Sequence, residues 1–180
     1  MAIIRSGISN GNTGTATAIS ASTTSNGTVE LSGANTYTGV TQTNGAFILA
    51  NSSGRSIDGN LQINGGTTTV ASASQFASSS NVTISGGSFS TSAPQTMGSL
   101  TFNAGSVSTG TQTLSLAGTG TVLSMRNTTL SSTLALTSAT SGNTIVYDPT
   151  NAGTATLSGA SLSLGGVGCT FNVVHNGSNT

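Results

Sequence analysis

The chain has 180 residues with 3 basic and 3 acidic side chains, a formal net charge of +0, 4% aromatic residues and 25 glycines. It contains no lysine, and Arg5, Arg55 and Arg126 lie far apart, so it lacks the cations that neutralise a run of phosphates and nucleic-acid binding is excluded. Self-repelling, charge-driven disorder is excluded too, and no apolar run approaches the ~18 residues of a transmembrane helix.

Ser and Thr make up about a third of the chain, well above globular usage, which leaves a low-complexity coil or a fold stabilised largely by backbone pairing. The opening "MAIIRSGISNG" has an apolar trio but no basic start and no long apolar core. It is not read as a signal peptide. Residues 1–26 are expected to form an irregular or capping segment, with any export signal elsewhere. From Gly27 to Asn51 the sequence "GTVELSGANTYTGVTQTNGAFILAN" sets short apolar pairs between Asn and Gly. This is the clearest repeat, and 52–180 read as looser rungs of the same kind.

Within those rungs "NLQINGG", "NVTISGG" and "SLTFNAG" share one form: two apolar residues flanking a polar one, then a polar residue and glycine. Their anchors are Leu61 and Ile63, Val82 and Ile84, and Leu100 and Phe102, with successive first anchors 21 and 18 residues apart. Weaker copies are "TVELSG" (Val29, Leu31), "TLSLAGTG" (Leu114, Leu116) and "SLSLGG" (Leu162, Leu164). Helix is nearly excluded by scattered glycine and abundant β-branched residues; the best candidate, "ASASQFASS", is given one turn at most.

An apolar pair of this form points two side chains to one face of a short strand, and the following Gly permits a tight corner. Stacking such coils pairs each strand with its counterpart about 4.8 Å away and gathers the apolar pairs into a column. Outward positions then suit Ser, Thr and Asn, because stacked like charges repel. A parallel β-helix is therefore the predicted fold; an antiparallel sandwich is the structural alternative.

The stretch from Gly27 to Asn51 resembles the autotransporter-associated β-strand repeat of bacterial passenger proteins. The matching residues are Gly27, Val29, Leu31, Gly33, Asn35, Thr36, Tyr37, Gly39, Thr41, Gly45, Phe47 and Leu49, with Val29 and Phe47 where leucine is usual. The resemblance implies an all-β, right-handed parallel β-helix (β-solenoid), here a piece of a longer array, at the bacterial cell surface or released from it. No anchoring barrel is read in this chain, so outer-membrane attachment is expected to depend on other parts. Within the repeat, Leu31 and Leu49 are expected to stack inward, Asn35 to bond the backbone at a corner, and Tyr37 to pack on the coil with its hydroxyl at the surface.

Other constellations are weaker. "GISNG" (Gly7 to Gly11) fits a nucleophile-elbow pattern followed by Asp148 and His175, but no helix signal flanks it and such a pattern arises by chance in a Ser/Gly-rich chain. The acids Glu30, Asp58 and Asp148 are read as one outward strand residue and two turn residues, not as a glycosidase pair. His175 and Cys169 have no metal-ligand spacing, and Cys169 is read as a small apolar residue in "VGCTFNVV". "LGGVGCT" lacks the lysine and following helix of a phosphate loop. An ice-binding face would need regular Thr-x-Thr pairs, whereas Thr36/Thr38, Thr67/Thr69, Thr109/Thr111 and Thr154/Thr156 are irregularly spaced. The glycosylation-type sequons at Asn26, Asn51, Asn81, Asn127 and Asn176 are read as accidents of composition.

The sequence thus leads to the expectation of a non-enzymatic bacterial surface or secreted module, without cofactor or metal, acting as stalk, adhesin or self-association scaffold. Its expected partners are other copies of itself or host and surface glycans. The alternatives are a fragment of a carbohydrate-active β-helix enzyme or another exported β fibre.

Overall fold

A computed structural model describes residues 2–5, 7–10, 17–22, 27–126, 128–137, 142–147, 155–158, 161–164 and 168–173. The strands, in chain order, are β1 (Ala2–Ile4), β2 (Ile19–Ser22), β3 (Thr28–Leu31), β4 (Thr41–Leu49), β5 (Leu61–Val70), β6 (Asn81–Ile84), β7 (Ser88–Thr91) and β8 (Gln95–Met97). They continue as β9 (Ser99–Phe102), β10 (Ser106–Leu116), β11 (Thr121–Met125), β12 (Thr129–Leu136), β13 (Asn143–Tyr147), β14 (Thr156–Leu157), β15 (Leu162–Ser163) and β16 (Cys169–Val173). Among the described residues every strand pairing is parallel and there is no helix. An antiparallel sandwich is thereby ruled out, and the chain is a parallel β-solenoid of about six turns.

Each turn crosses three tracks of stacked strands. The first holds β2, the start of β4, the start of β5, then β6, β9, β11, β13 and β16. The second holds β1, β3, the ends of β4 and β5, then β7 and the starts of β10 and β12, and β14. The third begins as a bridge between Ile57 and Phe76 and continues through β8, the ends of β10 and β12, and β15. Strands such as β4, β5 and β10 run through a corner, so one strand serves two tracks.

The predicted anchors meet in register. Leu61 lies against Val82 and Val82 against Leu100, while Ile63, Ile84 and Phe102 form the adjacent column. All six are essentially without solvent exposure. Burying such side chains contributes roughly 1.5–3 kcal/mol each, the term that offsets the entropy of ordering so glycine-rich a chain. The columns extend to Leu123 and Met125 on one side and to Thr41 and Thr43 on the other.

The weaker copies fall elsewhere. Leu114 and Leu116 stack on Gln95 and Met97 in the third track, Leu162 stacks on Leu134 in the same track, and Val29 and Leu31 lie in the second. An apolar pair flanking a polar residue makes a one-faced strand on any side of a coil, so the local form is shared while the face differs. The segment "ASASQFASS" forms no helical turn. Its Phe76 bridges Ile57, and the Ala77 amide donates to the Ile57 carbonyl at 3.2 Å, so the backbone bonds the neighbouring coil; the chain turns on itself at the segment's end, where the Ser80 amide donates to the Ala77 carbonyl at 2.9 Å. The segment expected to be irregular, 1–26, supplies β1 and β2, which continue the second and first tracks.

One corner explains a run of glycines. Gly66, Gly87 and Gly105 have φ of 72°, 75° and 95°, and they follow Gly45 at the same turn of successive coils. A Cβ on Gly87 would lie 2.3 Å from the Gly66 carbonyl oxygen, and one on Gly66 would lie 2.2 Å from that of Gly45. Left-handed backbone and close coil approach thus coincide. Gly87→Val is expected to cost at least about 2–3 kcal/mol and to lower the melting temperature by several degrees, whereas Gly120→Ala, which has φ of 73° but open space around it, should cost about 1 kcal/mol. Circular-dichroism melts of the two variants would check the order.

Candidate functional site

The residues singled out in the 27–51 rung occupy the corners and the interior of the first coils. Leu31 and Leu49 are fully buried and stack on each other in the second track. Gly27 is exposed just before β3, and Thr36 is exposed with its amide donating to the Ile8 carbonyl at 2.8 Å. Gly33 is buried and its carbonyl accepts from Asn51 Nδ2 at 3.0 Å. Gly39 lies beneath Thr17, where a Cβ would come within 2.0 Å of a carbonyl oxygen, and Gly59 repeats that approach on Gly39 at 2.1 Å. Gly45 is the half-buried corner within β4.

Asn35 joins three coils. Its Oδ1 accepts from the Ile8 amide at 2.8 Å and its Nδ2 donates to the Ser56 carbonyl at 2.8 Å. Only 4% of the residue is exposed. Two directional bonds to backbone on opposite sides fix both the corner and the distance between coils.

Tyr37 differs from expectation. It is fully buried, and its hydroxyl is hydrogen-bonded to Thr41 Oγ1 inside the coil and not held at the surface. A ligand-gripping role for this ring is thereby excluded. Burial pushes its pKa from 10.0 up to about 12, an effect that the Thr41 hydroxyl partly opposes. The phenol stays protonated in the folded state at pH values where the unfolded chain has ionised.

A buried polar spine extends from this corner. Gln75 is fully buried: its Nε2 donates to the Asn51 and Ala73 carbonyls, both at 2.8 Å, and its Oε1 accepts from the Asn51 amide at 2.9 Å and from Ser56 Oγ at 2.6 Å. The two carbonyl partners require the amide nitrogen on their side, which fixes its orientation. The Gln75 amide in turn donates to Gln95 Oε1 at 2.9 Å, and Gln95 Nε2 donates to Ser72 and Ala93 carbonyls at 2.8 and 3.1 Å. Leu114 then stacks on Gln95, and Leu134 on Leu114, so the column changes from amide to hydrocarbon midway. Gln75 and Gln95 were not singled out from sequence. Gln95 alternates with Met97 in β8, but Gln75 directly precedes the buried Phe76 and Ala77, so no common local pattern marks the two.

The outer faces carry uncharged rows. Ser88 Oγ donates to Thr67 Oγ1 at 3.3 Å and Ser90 Oγ lies 3.5 Å from Thr69 Oγ1, with Ser106 and Ser108 next in register. On the first track Gln42 Nε2 donates to Gln62 Oε1 at 3.2 Å, and Ser99 Oγ to Asn81 Oδ1 at 2.7 Å. The Thr pairs noted from sequence do not share one face, since Thr109 points inward to Ser132 Oγ at 2.8 Å.

Asp58 is held by Arg55 at 2.7 Å across a surface turn, and Glu30 lies half-buried between Ile3 and Ile48 of adjacent strands. Asn51, one of the sequons, is 1% exposed with its amide engaged, so it is closed to glycosylation in the folded chain. Cys169 packs against the core. Gly11, Asp148, His175, Asn26, Asn127, Asn176 and Thr154 lie outside the described residues, and so does any triad built on them. Among the described residues no group of three metal-ligating side chains comes together and no helix is long and apolar enough to cross a membrane.

No protein-family model, curated protein or solved structure matches the chain. The arrangement defines a β-solenoid whose corners are closed by glycine columns and buried amides and whose sides present hydroxyl and amide rows.

Gln75→Leu keeps much of the volume but strands the Asn51 amide and two carbonyls, each worth about 1–3 kcal/mol when buried without a partner. A loss on the order of 3 kcal/mol is expected in chemical denaturation. For Tyr37, the folded state binds the proton more tightly, so its stabilising contribution is complete below the unfolded pKa of 10.0 and is lost as pH rises towards about 12. Denaturation midpoints between these limits should fall with pH, and Tyr37→Phe should flatten that decline.

Proposed function

We propose that this chain is a non-enzymatic structural module of a bacterial surface or secreted protein, of the autotransporter-passenger kind, acting as a stalk. The single observation that carries the reading is the use made of the 27–51 rung. Gly33, Asn35, Tyr37, Gly39, Thr41 and Gly45, the residues through which it resembles the passenger repeat, are those that join or close its coils.

The mechanism is geometric. Each coil adds about 4.8 Å of length whatever lies beyond its immediate neighbours, so reach is set by the number of coils. The sides resist non-specific ionic contact because they are almost uncharged. Their hydroxyl and amide rows suit partners rich in hydroxyl groups, and surface glycans are the class of ligand that fits an adhesive role.

Location tests the reading. Protease added to intact cells that make the protein is expected to remove it, or the protein is expected in the medium, while a cytosolic marker stays whole. Full protection until the cells are lysed would overturn the proposal.

A further inference from the structure

One dipeptide occurs at neighbouring places on two successive coils. Asn44 and Gly45 lie within β4, and Asn64 and Gly65 within β5. Both asparagines are exposed on the outer side of the coil. An asparagine followed by glycine can react with its own backbone, because no side chain on the second residue shields the amide nitrogen from the asparagine Cγ.

Backbone pairing distinguishes the two sites. Asn44 is in register on both sides, with Ser22 of β2 and with Gly65 of β5, and Gly45 continues the ladder against Gly66. Asn64 is skipped: Thr43 pairs with Ile63 and Asn44 with Gly65, which leaves Asn64 as the extra residue of a β-bulge. Towards the following coil, β6 pairs with β5 only as far as Ile63, and the pairing with β7 begins again at Thr67. Asn64 therefore has no register partner on either side. A residue held in the ladder must break backbone bonds before its peptide can turn, whereas a bulge residue need not. A polar recess lined by Ser20, Ser22, Gln42, Asn44 and Asn64 gives water access to the same place.

We propose that Asn64 is a site of spontaneous modification in the folded protein, converting to aspartate and isoaspartate while Asn44 keeps its amide. The Gly65 nitrogen gives its proton to water or hydroxide and attacks Asn64 Cγ. The Cγ–Nδ2 bond breaks and ammonia leaves with a proton from water, closing a cyclic imide. Water then opens the ring. Cleavage at the side-chain carbonyl gives aspartate, and cleavage at the backbone carbonyl gives isoaspartate, in which the chain runs through Cβ and Cγ. One water is taken up and one ammonia released, with nothing oxidised or reduced.

The bulge accommodates the product. Isoaspartate lengthens the backbone by one carbon where the register already shifts, so the pairing of β4 with β5 persists before and after it. The surface is what changes. A chain with 3 basic and 3 acidic side chains becomes net negative, and the new carboxylate stands beside the amides of Gln42, Gln62 and Asn44. An uncharged side thus acquires charge with age and without an enzyme.

Site-resolved mass spectrometry of the folded 180-residue chain, aged for weeks at neutral and mildly alkaline pH and digested in acid, tests the proposal. The same dipeptide at Asn10, Asn26 and Asn176 lies wholly or partly outside the described residues, so each site must be read separately. Conversion at Asn64 is expected to run about tenfold ahead of Asn44, the lag set by opening backbone hydrogen bonds, and to quicken as pH rises. In urea, where pairing is lost, the two sites should convert at similar rates. Equal rates in the folded chain, a faster Asn44, or an Asn64 that stays intact while the unfolded chain converts would each overturn the assignment. Asn44→Gln should leave the rate at Asn64 unchanged, and a large change would show that the bulge alone does not set it and overturn the mechanism.

Discussion

The parallel backbone pairing between one coil and the next is the constraint on which the rest of this structure depends. It places each residue against its counterpart about 4.8 Å away, so every side chain must tolerate its own kind as a neighbour. Charge fails that condition, and the chain carries almost none. At one corner the coils approach so closely that a Cβ on Gly66, Gly87 or Gly105 would meet the carbonyl oxygen of the glycine in the coil beneath, and Gly45, Gly66, Gly87 and Gly105 form a column there. The composition that looked at first like low complexity follows from this single geometric demand.

The interior obeys the same condition with more freedom. Phe47, Thr68 and Phe89 lie in register on successive coils, large against small against large, and the Thr68 hydroxyl meets that of Thr43 across the interior at 3.3 Å. The amide spine from Asn35 to Gln95 lies in the first half of the solenoid, and leucines take over its column beyond. Directional bonds fix the corner shape in one part; non-directional packing fills it in the other. The two halves share a path while being held in shape by different physics.

Much of the fold was legible because its anchors are periodic. Leu61, Val82 and Leu100 could be aligned from spacing alone, and the structure puts them in one column. Leu114 and Leu162 could not be assigned a face, since the form of an apolar pair is identical on all three tracks and only the register of neighbouring coils distinguishes them. Tyr37 was misplaced because a phenol ordinarily seeks the surface; a Thr four positions on supplied its hydroxyl with an internal partner. Gln75 and Gln95 were overlooked because their burial depends on partners in the neighbouring coil, Asn51 and Ser56 for Gln75 and Ser72 for Gln95, and no local pattern common to both reveals them.

The correspondence between Leu61 and Val82 has a genetic counterpart. A segment running from one such residue to the next begins and ends at equivalent points on the coil, so its removal or duplication joins strands that already match. The chain can therefore lengthen or shorten by in-frame recombination between neighbouring coils without inventing a new contact. Variation in reach among descendants of such a gene becomes a matter of copy number, and the corner glycines and amides mark where those exchanges leave the protein able to fold.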